Sequence, residues 1–134
     1  MSKIIQTSGK RKRAIARATV HAGKGNVLVN NKPLSAIMPA MLRLRLQEPL
    51  LLAEKLGEGL DITVTVVGGG PTSQIDAARL AIARGLVAFS NSAALKNTFL
   101  EYDRLLLVAD VRRKEHAKPN SHGQARSKVQ KSYR

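Results

Sequence analysis

Three histidines (His21, His116, His122), nine carboxylates and a run of three glycines at 68–70 are the residues of this 134-residue chain whose types admit chemistry. A metal centre or an acid–base relay needs such groups at ligand or hydrogen-bonding spacing. His116 and His122 sit in a polar segment with only Glu115 nearby, and His21 alternates onto a strand face with Arg17. Glu48, Glu54, Glu58, Asp61 and Asp76 fall where helix caps and helix faces are expected, and electrostatic support of helices accounts for them there. No set of nucleophile, base and orienting group can be assembled, so the sequence predicts no catalysis, no metal and no cofactor. The glycines stand in GGGPTSQ, between a predicted strand and a predicted helix, where free amides attract phosphate. A phosphate-binding loop needs GxxxxGK followed by Ser or Thr, and a dinucleotide loop needs GxGxxG. GGGPTSQ is neither, and it reads as a turn requiring positive φ whose amides remain able to hold an RNA phosphate.

Charge is the stronger signal. Residues 1–24 hold seven Lys or Arg and no acid, residues 111–134 hold eight against one acid, and the stretch between holds eight against eight. The whole formal charge of +14 therefore lies in the two ends. A domain needing only solubility would intersperse both signs, so this partition predicts a large polyanion, RNA or DNA, that both ends touch. Within the first end, Lys10-Arg11-Lys12-Arg13 on its own would serve as an import signal or a solvated face. Arg13 and Arg17 carry its charge onto one strand face, which makes it a structured docking surface. Phe89, Phe99, Tyr102 and Tyr133 are the only aromatics, too few for base-stacking platforms, so affinity must come mainly from phosphates.

Composition excludes other classes. The absence of Cys removes disulfide scaffolds and thiolate zinc sites and fits a reducing setting. The opening MSKIIQTSGKRKR has no apolar stretch long enough for a signal peptide, and no run approaches the roughly 18 residues that cross a bilayer. The expectation is a soluble cytoplasmic protein without a membrane partner, built as one domain plus a tail.

The elements that position these residues follow from periodicity. From Arg13 to Ala22, Ala14, Ala16, Ala18 and Val20 alternate with Arg13, Ile15, Arg17, Thr19 and His21, which predicts a strand with one small apolar face and one basic face. Gly23-Lys24-Gly25 leads into Asn26–Asn30, and the two runs are expected to pair as a hairpin. Leu34–Gly57 predicts two short helices, with Pro39 and Pro49 each in a first turn and Gly57 as a stop. Leu60, Ile62, Val64 and Val66 mark a strand. Ser73 is expected to cap the next helix, with Ile75, Ala78, Ile82, Leu86 and Phe89 as its buried stripe and Arg79 and Arg84 off it. Ser92 is expected to cap a further helix to about Tyr102, and residues 105–109 to form a buried strand. Beyond Asp110 the chain is too polar to order itself, and its 24 residues at roughly 3.3 Å each reach up to ~80 Å.

Laid out this way, the chain resembles the small-subunit ribosomal protein nine family over nearly its whole length. The family signature is met by Gly68, Gly69, Gly70, Ser73, Gln74, Ala77, Ala81, Ala83, Arg84, Gly85 and Leu86. GKRKRAIARATVHAGKGNVLVN is similar to the family's opening hairpin, and DVRRKE with QARSKVQKSYR to its tail. The ending KSYR is similar to the archaeal and eukaryotic branch. Lys118-Pro119-Asn120 and Ser127-Lys128-Val129 depart from the usual tail.

The resemblance implies an α/β fold of two-layer α+β type, like the second domain of ribosomal protein five, with a left-handed βαβ crossover and a long basic C-terminal extension. It implies a globular RNA-binding domain over 1–110, with its basic strand and hairpin in 1–30, and an extended tail over 111–134. The implied place is the head of the small subunit, among ribosomal RNA and neighbouring ribosomal proteins. Lys10, Arg11, Lys12, Arg13, Arg17 and Lys24 would hold the domain on ribosomal RNA, and Arg112, Arg113, Lys114, Lys118, Arg126 and Lys128 would hold the tail there. Lys131, Ser132, Tyr133 and Arg134 would contact the transfer RNA in the P site. The alternatives are an architectural nucleic-acid protein and a small-molecule kinase using the glycine loop, which lacks a catalytic Lys or paired metal carboxylates.

Overall fold

A computed structural model describes residues 2–127 and Tyr133. Alternation produces its two central strands. In β2 (Ala14–Ala22) and β5 (Leu60–Val67) every second residue is buried: Ala14, Ala16, Ala18 and Val20 on one, Leu60, Ile62, Val64 and Val66 on the other. The two pair antiparallel, with Ala18 opposite Val64. Their apolar face is covered by α3 (Pro71–Ser90), whose Ile75, Ala78, Ile82 and Leu86 return the predicted stripe, with Phe89 at its half-buried end. Burying Ile62, Ile82 and Leu86 contributes about 1.5–3 kcal/mol for each side chain.

β1 (Ile4–Arg11) lies beyond β2, antiparallel to it across the two-residue turn Lys12-Arg13, with Gly9 opposite Ala16. Gly9 is where α3 crosses: a Cβ there would collide with the Ala77 carbonyl and stand 2.8 Å from the Ala81 amide. At Gly85 a Cβ would stand 2.7 Å from Val20 Cγ2. The small residues of the signature thus let a helix backbone lie directly on a sheet. Thr7 fastens the contact through a 2.8 Å hydrogen bond from its hydroxyl to the Ala81 carbonyl.

The other side of the sheet corrects an expectation. β3 (Val27–Val29) does not pair with β2; β5 lies between them, antiparallel to β2 and parallel to β3, giving the order β1-β2-β5-β3-β4, where β4 is Lys32–Pro33. Asp61 on β5 is one contributor, and Asn30, whose Oδ1 accepts the Val66 amide at 2.8 Å, is another. The Asp61 Oδ1 accepts the Lys24 and Asn26 amides at 2.9 Å each, and the Ile62 amide donates to the Asn26 carbonyl at 2.8 Å. These bonds splay the 23–26 loop away from a hairpin and hand β3 to β5. The connection from β3 to β5 is a crossover through α1 (Ala40–Leu52) and α2 (Lys55–Glu58).

Further differences are local. Pro39 stands in the capping position before α1 rather than in its first turn, and Pro49 lies inside the helix and is buried, because Leu-rich sequence on both sides outweighs one lost backbone bond in the last turn. Gly57 falls within α2 rather than after it. α3 starts at Pro71, with Gly70 rather than Ser73 in the capping position and no side-chain cap, since Pro71 needs no donor partner. Ser92 does cap α4 (Ala93–Tyr102), its Oγ accepting the Leu95 amide at 3.3 Å. Residues 105–109 form no strand. Asp103 accepts the Leu105 amide at 2.9 Å and turns residues 104–106 into a 3₁₀ segment in which Leu106 alone is fully buried.

Candidate nucleic-acid interface

The polar face of the sheet is left open by this two-layer arrangement. Across it run Ser8, Arg17 and Thr65 in one register row and Lys10, Ile15 and Val67 in the next. Arg17 and Lys10 are exposed there, as the alternation predicts. At the end of this face is the Lys12-Arg13 turn, and the two basic ends of the chain meet at it. Arg113 Nη1 donates to the Lys12 carbonyl, and Arg11 Nη1 donates to the Arg112 carbonyl at 3.2 Å.

Asp110 is the joint. Its carboxylate accepts the Arg112 amide at 3.0 Å and the Arg112 guanidinium at 2.6–3.0 Å, and it stands 3.4 Å from Arg11. The Arg112 side chain and amide hold this carboxyl well below the usual carboxylate range, and Asp110 in turn holds the Arg112 guanidinium above its ordinary value. Sequence reasoning passed over Asp110, although an Asp two residues ahead of an Arg is the signature of a side chain that accepts its own backbone two positions on.

The predicted cations therefore divide. Arg11 is half-buried and spent on the joint, as are the guanidinium groups of Arg112 and Arg113. Among the described residues Lys10, Lys12, Arg13, Arg17 and Lys114 are exposed and make no ion pair. Lys12 projects from a backbone of φ +53°. Lys24 is not brought to this place: it lies at the far end of β2, roughly 30 Å away at about 3.4 Å per strand residue, on the loop that Asp61 clamps. The two amides hold the Asp61 carboxyl below its ordinary value.

Further along the tail, Arg126 forms a two-pronged ion pair with Glu115 at 2.7 and 3.1 Å, and the Lys118 amide donates to the Gln124 carbonyl at 3.1 Å. Asn120, His122 and Gly123 turn the chain there with positive φ, and Lys118 is exposed on the loop so closed. Lys128, Lys131, Ser132 and Arg134 lie outside the described residues, and Tyr133 is exposed.

The glycine loop sits at the same end of the sheet. Gly68 and Gly69 have φ of +77° and +67°, and the loop is tied to α3 by Gln74, whose Nε2 donates to the Gly68 carbonyl at 3.1 Å. A Cβ on Gly69 would stand 3.1 Å from the Ala14 amide, so the glycines serve a tight turn against β2. Ser73, half-buried in the first turn of α3, makes no cap. Arg84 lies off the stripe but is half-buried, donating to the Leu107 carbonyl at 3.0 Å and the Ser8 carbonyl at 2.9 Å. It ties the segment before the tail to β1.

A cleft of ≈ 400 Å³ opens below the Lys12-Arg13 turn, lined by Lys10, Arg11, Arg45, Arg79 and Arg112 and by Glu48, Asp76, Asp103 and Asp110. Apart from that of Lys10, its charges are used internally. Arg79 bridges Glu48 and Asp103, and Arg45 meets Asp76 at 2.9 Å. Glu48 and Asp76 are thus tertiary ion-pair partners rather than supports of their own helices. Among the described residues no three His, Asp or Glu side chains gather to hold a metal, and no helix is long and apolar enough to cross a membrane.

Residues 9–134 match the protein family described as ribosomal protein S9/S16. The chain is 51% identical over 130 residues to small ribosomal subunit protein uS9 of Thermoplasma volcanium, covering 97% of this chain and 98% of that one. It is 48% identical over 132 residues to uS9 of Methanothrix thermoacetophila, covering 98% and 99%. With uS9 of Methanococcus vannielii it shares 44% over 133 residues, again covering 98% and 99%.

Proposed function

The chain belongs to the family of small ribosomal subunit protein uS9, a structural component of the ribosome and not an enzyme, and from that premise we propose that it binds ribosomal RNA of the subunit head through one composite cationic surface. The observation that carries this reading is the docking of residues 110–113 on the Lys12-Arg13 turn, which merges the basic ends into a single patch. Lys10, Lys12, Arg13, Arg17 and Lys114 neutralise phosphates there and release counterions. Lys24 makes a separate contact at the far end of the sheet. Arg11, Arg112 and Arg113 serve the patch by holding it together.

In this reading residues 1–110 are the globular RNA-binding domain, in the manner of the second domain of ribosomal protein five, and the β3–α1–β5 crossover is its left-handed βαβ unit. Residues 111–134 leave the patch as a basic extension between RNA helices, with Lys118, Arg126 and Lys128 on phosphates. Counterion release there offsets an ordering cost of roughly 1 kcal/mol or more per residue, so the extension orders as it binds. At its tip Lys131 and Arg134 meet phosphates of P-site transfer RNA, Ser132 donates a short hydrogen bond, and Tyr133 stacks or donates. None of these groups selects a base sequence, which suits a site that accepts every transfer RNA. The setting is the cytoplasmic ribosome.

The test is sedimentation with small subunits combined with nuclease footprinting. The expected result is co-sedimentation and protection of head-domain ribosomal RNA, with no comparable protection of duplex DNA. Deleting residues 131–134 is expected to leave assembly intact and to speed dissociation of P-site transfer RNA. Unchanged dissociation from the truncated subunits would refute the role of the tip.

A further inference from the structure

The open face of the sheet carries more than cations. Its two middle cross-strand rows, running over β1, β2 and β5, are Ser8, Arg17 and Thr65 in one and Gln6, Thr19 and Thr63 in the other. Arg17 thus stands among five uncharged hydrogen-bonding side chains, of which Thr19 is half-buried and the rest are exposed. Among the described residues none of these five side chains bonds to protein, in contrast to Thr7 on the covered face, whose hydroxyl is spent on the Ala81 carbonyl. Strand propensity alone places threonine on such a face, but it favours neither Ser8 nor Gln6.

A surface that bound phosphates alone would fill these rows with Lys and Arg. Side chains that both donate and accept match a partner group that does the same, and the ribose 2′-hydroxyl is such a group. Shape narrows the choice further. Three strands side by side span roughly 10 Å, more than the roughly 6 Å minor groove of B-DNA admits, and its major groove takes at most a two-stranded ribbon. The minor groove of an A-form RNA helix is wide, shallow and lined with 2′-hydroxyls. No aromatic side chain stands on β1, β2 or β5, so unpaired bases have nothing there to stack on. Charge sets the position of the helix: exposed Lys10 and Arg13 flank the middle rows at one end, and Asp61 bounds them at the other. We propose that Gln6, Ser8, Thr19, Thr63 and Thr65 read ribose 2′-hydroxyls along the minor groove of a ribosomal RNA helix, with Arg17 on an adjoining phosphate. This rests on the ribosomal RNA reading above and deepens it, because the cations supply affinity for any nucleic acid whereas the hydroxyl rows select RNA over DNA.

The test is filter binding of the full chain to a paired head-domain ribosomal RNA fragment and to the same fragment carrying 2′-O-methyl riboses throughout, which keep the A-form helix and lose the donor. The full chain is expected to bind the unmodified fragment about tenfold more tightly, as the loss of several hydrogen bonds requires. Thr63→Val/Thr65→Val keeps the shape and strand propensity of both residues, so its Tm is expected to hold. Its binding to the unmodified fragment should weaken several-fold and its preference shrink, with the salt slope unchanged because no phosphate contact is removed. Lys12→Gln/Arg13→Gln/Lys114→Gln should weaken binding to both fragments alike. Equal affinity of the unaltered chain for the two fragments, or a preference that the threonine substitutions leave intact, would overturn the ribose proposal, while steep salt dependence would leave the ribosomal RNA reading standing. Flat salt dependence on both fragments would overturn the RNA reading and the ribose proposal with it.

Discussion

Lys12 holds a backbone conformation that glycine adopts at no cost and that burdens an L-residue by roughly 1–2 kcal/mol. What Lys gains there is an ammonium at the tip of the turn on which the tail docks. Lys12→Gly is therefore expected to leave Tm unchanged or raise it, and to weaken RNA binding, as thermal melts and filter binding on one preparation would reveal. Gly85 is the opposite case, because its missing Cβ makes room for Val20. Gly85→Ala should lower unfolding free energy by roughly 1–3 kcal/mol in urea titration. Asp110 sets a pH dependence. Its folded carboxyl is held below its ordinary value of 3.8, so the joint is fully formed above that pH and is lost only as pH falls further, through the depressed folded value. Amide exchange at Arg112 should stay protected through pH 4 and rise only in stronger acid; early loss near pH 4–5 would show that Asp110 does not hold the tail.

Among the elements, strand periodicity was legible wherever one face is buried. Ala14 to Val20 and Leu60 to Val66 alternate because one set faces α3 and the other faces solvent. Pairing was not legible, since the β2–β3 adjacency in sequence suggests a hairpin, whereas β3 is held to β5 by side chains bonded 35 or 36 residues away, Asp61 to the Asn26 amide and Asn30 to the Val66 amide. β1 was overlooked for a related reason. As the outer strand it buries little beyond Gly9, so IIQTSGKR shows no clean alternation. Residues 105–109 misled in the reverse sense, being apolar enough for a strand but diverted by the Asp103 cap. If Asp61 organises the 23–26 loop, Asp61→Ala should accelerate hydrogen exchange at the Lys24 and Asn26 amides while the β1–β2 amides remain protected. Uniform loss of protection would instead assign Asp61 to global stability.

For the molecule as a whole, the partition of charge was plain in the sequence, and so was the inference of a polyanion. What linear sequence concealed is that the ends are one surface. Residues 11 and 113 are about a hundred positions apart, and the bonds that join them involve backbone carbonyls, which leave no trace in residue type. In the proposed reading, the consequence is that cations from both ends act on the same stretch of RNA. The most direct measurement is the salt dependence of binding to a head-domain ribosomal RNA fragment, for the full chain and for a Lys12→Gln/Arg13→Gln/Lys114→Gln variant. The account predicts a log–log slope of about −4 or steeper for the full chain, shallower by about two for the variant. A slope near −1, or one that the three substitutions leave unchanged, would contradict it.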